Sequence, residues 1–118
     1  MLIHRFRRAA EAGSSENRLR SRSVILTLQI DKLTSGVYRA ALLSDGTEVT
    51  ATEEYSSIED AIREEFCEVP ADFAHFAEVR YCGVSSGTMA IERFPPQAAE
   101  VADRLVAILA EMHRLAGR

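Results

Sequence analysis

The stretch from Val24 to Asp31 constrains the fold most. Its side chains alternate with period two, Val24, Leu26, Leu28 and Ile30 on one face and Ile25, Thr27, Gln29 and Asp31 on the other. A strand of this kind has a wholly apolar face to bury against something else. The turn residues Leu33 to Gly36 then lead into Val37 to Leu43, a second run of β-compatible side chains, and the two predict an antiparallel hairpin. Ser44-Asp45-Gly46-Thr47 contains an Asp-Gly pair, which tolerates the positive φ angles of a tight hairpin turn. Glu48 to Thr52 follows as a third strand, completing a meander.

The period next becomes that of a helix. Ser56 and Glu59 have capping-box spacing, and Ile58, Ala61, Ile62, Glu65, Phe66 and Val69 trace one nearly continuous stripe that Pro70 ends. Phe76 to Cys82 and Thr88 to Phe94 read as a second hairpin joined by Gly83-Val84-Ser85-Ser86-Gly87. Pro95 and Pro96 suit the entry of a last helix, whose Ala98, Val101, Leu105, Ile108, Met112 and Leu115 step by three and four. Ala102, Val106 and Leu109 widen that stripe, Gly117 follows its end, and the helix is expected to be deeply buried along one side. The order β-β-β-α-β-β-α over residues 23–118 predicts a single α+β domain, an antiparallel sheet covered by two helices. A chain of 118 residues with 47% apolar content suits one compact core.

Residues 1–22 differ from the rest. Six arginines (Arg5, Arg7, Arg8, Arg18, Arg20 and Arg22) stand against Glu11 and Glu16, so this segment is net +4 and, in a chain of −4, the remainder carries −8. It reads as a basic, loosely ordered N-terminal arm with an Ala/Arg/Glu bias of bacterial type. Binding of nucleic acid through the arm is an alternative reading. Against it, only Phe6 interleaves the arginines as a stacking aromatic, and the acidic body opposes phosphates, so nucleic acid is not the expected partner. The longest apolar runs fall far short of the roughly 20 residues that span a bilayer, so no membrane association is expected. Cys67 and Cys82 are too few for a disulfide framework, which places the chain in a reducing cytoplasm.

The leading chemical feature is the acidic stretch from Asp45 to Asp72, in which ten carboxylates face Arg63 alone, a net of −9. Glu53, Glu54, Glu59, Asp60, Glu64 and Glu68 are the candidate partner-binding residues, because clustered like charges repel until a basic protein relieves them. The expected function is therefore a non-enzymatic protein-binding module of inhibitor, immunity, antitoxin or chaperone type. Adjacent carboxylates do not face each other on a helix, so no catalytic acid pair is expected. Cys67, His75, Cys82 and His113 lack the closely spaced ligand pairs of structural zinc, and neither metal nor cofactor is expected. The enzymatic alternative is built on Cys82, His75 and the Ser85 to Thr88 hairpin, where glycines would expose backbone N–H groups to an anion. Finally, the heptad-like steps of the C-terminal helix make it a candidate homodimer contact.

Overall fold

A computed structural model of the chain describes residues 25–117. The basic arm expected over residues 1–22 lies outside the described residues, as does Val24. β1 (Ile25–Thr34) pairs antiparallel with β2 (Val37–Ser44), setting Leu28 opposite Leu42 and Ile30 opposite Ala40. Asp45 and Gly46 take φ of 52° and 80°, the two positive angles that the Asp-Gly turn requires.

The third strand is broken in two. β3 (Thr47–Glu48) and β4 (Glu53–Tyr55) both pair antiparallel with β2, and the gap between them falls inside the strand expected over Glu48 to Thr52. The gap is closed by a side chain. The Leu42 N–H donates to the buried hydroxyl of Thr50 at 3.0 Å, while the Val49 N–H donates to the Leu42 carbonyl at 2.8 Å.

The helix α1 (Ile58–Cys67) then carries the chain across the sheet, and β5 (Phe76–Tyr81) lies on the far side of β1, parallel to it. The sheet is therefore mixed. β4 already runs in the direction of β1, since both are antiparallel to β2, and a helical crossover returns the next strand in the same direction. β6 (Val84–Ser85) and β7 (Met89–Ala90) pair with opposite ends of β5, and the strand expected over Thr88 to Phe94 becomes a 3-10 turn at Ile91–Arg93. Ser86 bridges this second gap, its hydroxyl accepting from the Val79 N–H at 2.9 Å and its own N–H donating to the Val79 carbonyl. Both outer edges are thus short and interrupted, which leaves little unpaired backbone for another chain to extend.

The core lies on one face of the sheet. Leu26, Leu28, Ile30, Leu42 and Val79 meet Ile58, Ile62 and Phe66 of α1 and Val101 and Leu105 of α2 (Ala98–Ala116). Each side chain of this size contributes about 1.5–3 kcal/mol when fully removed from water. Phe66 stacks on Phe94 with ring centroids 4.5 Å apart, which ties α1 to the turn leading into α2.

The expectation that α2 is buried along its whole side holds only to Leu105, its last fully buried residue. Leu109 still touches the core, but Ile108, Met112 and Leu115 are 39%, 50% and 54% exposed. At 1.5 Å per residue the helix runs on for about 16 Å past Leu105, further than the sheet and α1 can follow.

Candidate functional site

Burial of Ile58, Ala61, Ile62 and Phe66 turns Glu59, Asp60, Arg63 and Glu64 to the outer side of α1. The helix begins one residue later than the capping-box spacing suggests. Ser57 is the N-cap, its hydroxyl accepting from the Asp60 N–H at 3.0 Å, and Ser56 donates instead to the Asp60 carboxylate at 3.1 Å. Glu59 and Asp60 sit in the first turn, where the helix dipole favours negative charge.

Arg63 binds both of them, donating to Glu59 one turn back and to Asp60 at 3.3 Å. The hydrogen bond to Glu59 is the main reason that the guanidinium holds its proton more firmly than usual. Such exposed pairs add little stability. Their effect is to order the outer face, with Glu64 exposed beside them and Glu68 half-buried at the C-cap.

The strand contributions divide. Glu53 and Tyr55 pair with Ala40 and Tyr38 on the side of β4 that faces α1, whereas Glu54 pairs with Arg39 on the opposite face of the sheet. Of the six acids expected at the site, Glu59, Asp60 and Glu64 share the outer face of α1, Glu64 exposed and the other two half-buried against Arg63. Glu53 and Glu68, also half-buried, lie off that face, and Glu54 is carried to the opposite face of the sheet.

Glu65 is fully buried, and the Tyr55 hydroxyl donates to its carboxylate. The spacing of the helical stripe places Glu65 inward, but nothing in the sequence near it points to Tyr55. The pairing comes from β4 lying against α1.

The residues of the enzymatic alternative do not converge. His75 immediately precedes β5 and Cys82 immediately follows it, so the whole strand separates them, about 20 Å at 3.3 Å per residue. Cys82 and Gly83 form a two-residue turn with φ of 51° and 83°, leaving the thiol exposed. Beside it, burial pushes the Tyr81 hydroxyl above the ordinary tyrosine range, with Cys82 and Tyr38 adding to the shift.

The Ser85 to Thr88 loop is turned in on itself rather than open to an anion. Gly87 donates its N–H to the Ser85 hydroxyl at 3.0 Å, the Ser86 N–H is taken by Val79, and the Ser85 hydroxyl donates to Glu78 at 2.6 Å. His75 instead joins Cys67 and Glu92 along a mainly apolar cleft of about 440 Å³, lined also by Phe66, Phe76 and Ile91. Among the described residues no three His, Cys, Asp or Glu side chains are grouped to hold a metal ion. Nor is any helix there long and apolar enough to cross a membrane. Protein-family models, curated proteins and solved structures yield no match to the chain.

Proposed function

We propose that this chain is a non-enzymatic protein-binding module that engages a basic protein partner in the cytoplasm through the outer face of α1. The observation that carries the reading is that Glu59, Asp60 and Glu64 share one solvent-facing side of α1 while its other side is anchored in the core. None of the three is packed in the core, so a partner's arginine or lysine can meet them without loss of packing, and fixed charges of one sign steer an oppositely charged protein on approach. Arg63 within the set moderates the charge and holds Glu59 and Asp60 in defined positions. That order lowers the side-chain entropy lost on binding. Self-association through α2 would use a different surface and is compatible with this role.

The test is affinity capture from the native host with the wild-type chain and with Glu59→Lys/Asp60→Lys/Glu64→Lys as baits. The wild type should recover a basic protein in stoichiometric amount, and the variant, folded by circular dichroism, should not. Equal recovery by both would remove α1 from the mechanism.

A further inference from the structure

α2 carries one continuous heptad seam, and the body covers only half of it. Ala98, Val101, Leu105, Ile108, Met112 and Leu115 follow the alternating three- and four-residue steps of a and d positions. The first three have no exposed surface, whereas the last three are 39%, 50% and 54% exposed, with Val106 beside them at 49%. The seam therefore leaves the core unchanged in spacing and continues into solvent. A face of this spacing is complementary to another helix of the same spacing, whose knobs fill its holes. Among the described residues the only other helix, α1, spans ten residues and keeps its apolar side in the core, so of the two it is α2 that offers a seam of matching spacing to a second copy.

Charge separates a second copy from the basic partner. From Leu105 to Ala116 the only acid is Glu111, which Arg114 binds, so nothing on this segment would select a basic protein. The rest of the body is acidic, residues 23–118 carrying net −8, and two copies repel wherever those surfaces approach. The neutral distal segment is where they can meet. From this we infer that the chain forms an antiparallel homodimer through Ile108, Met112 and Leu115 of α2. Antiparallel pairing puts the two bodies at opposite ends of the joined helices, whereas parallel pairing would press the acidic bodies together at one end.

The inference is independent of the role proposed for α1, and sedimentation equilibrium of the full chain tests it. The wild-type mass should rise with concentration from 13.1 kDa toward twice that value. Ile108→Glu/Met112→Glu should remain monomeric with unchanged helix content, since both sites are exposed in the monomer and glutamate favours helix. A wild-type mass that stays monomeric at every concentration would overturn the dimer and leave the seam to residues 1–24 or to another protein. A dimer that survives in the variant would overturn the contact. Orientation is read from Leu115→Cys in a chain with Cys67→Ser and Cys82→Ser. Parallel seams place the two thiols within disulfide reach, while antiparallel seams hold them apart. The expected result is no oxidised dimer, and rapid cross-linking would overturn the antiparallel arrangement.

Discussion

Glu65 has no exposed surface, in a stretch whose other acids are at least partly exposed where the structure describes them. A buried carboxylate is costly without hydrogen bonds, and the Tyr55 hydroxyl supplies one. Tyr55→Phe deletes that donor and should cost about 1–3 kcal/mol, the range for leaving a buried polar group short of a partner, read from urea midpoints. A loss near zero would mean that the contact does not form. Glu65 shows what was legible at this scale. Its place on the buried stripe follows from helical spacing, but its partner comes from a strand ten residues away, which no local pattern encodes. Tyr81 gives a pH dependence. Its folded value is raised, chiefly by burial, so its contribution to stability is complete below the ordinary tyrosine value of about 10 and is lost as the pH climbs from there through the raised one. Tyr81→Phe should flatten that alkaline loss in thermal melts, and an unchanged profile would show that another group titrates.

At the scale of elements, apolar spacing located both helices and the first strands, because burial imposes the period of the structure it stabilises. Direction is different. Period two is the same in parallel and antiparallel strands, so the alternation of Phe76 to Cys82 held no sign that β5 runs parallel to β1. The broken edge strands were hidden for a related reason. Thr50 and Ser86 look like ordinary polar strand or loop residues until their hydroxyls are seen replacing ladder hydrogen bonds. In α2 the spacing is regular to Leu115, yet only contact with the sheet decides where burial stops. Leu105→Ala should therefore cost about 2–5 kcal/mol through the cavity it leaves. Ile108→Ala, made at concentrations where the chain is monomeric, should cost only about 1–1.5 kcal/mol, since part of the side chain is already in water. Equal losses at the two sites in urea unfolding would contradict the boundary drawn at Leu105.

Across the described residues, Glu59, Asp60 and Glu64 cluster on the outer side of α1, whereas Val106, Ile108, Met112 and Leu115 gather exposed apolar surface on the distal half of α2. Part of the acidic region was legible, since net charge can be counted along the chain. The count could not show that β4 sends Glu53 and Glu54 to opposite faces, or that Arg63 ties Glu59 to Asp60. Arg63 makes the claim about α1 quantitative. Arg63→Ala keeps the negative charges and removes the positive one among them, so it should strengthen long-range attraction to a basic protein, even as it frees Glu59 and Asp60 to move, where charge reversal at Glu59, Asp60 and Glu64 abolishes it. The most direct test is the association rate with the captured partner, measured for the wild type, Arg63→Ala and the triple reversal at low and at high salt. Arg63→Ala should associate fastest and the triple reversal slowest at low salt, and the three rates should converge as salt screens the charges. Rates that are equal at low salt, or indifferent to salt, would contradict the claim about α1.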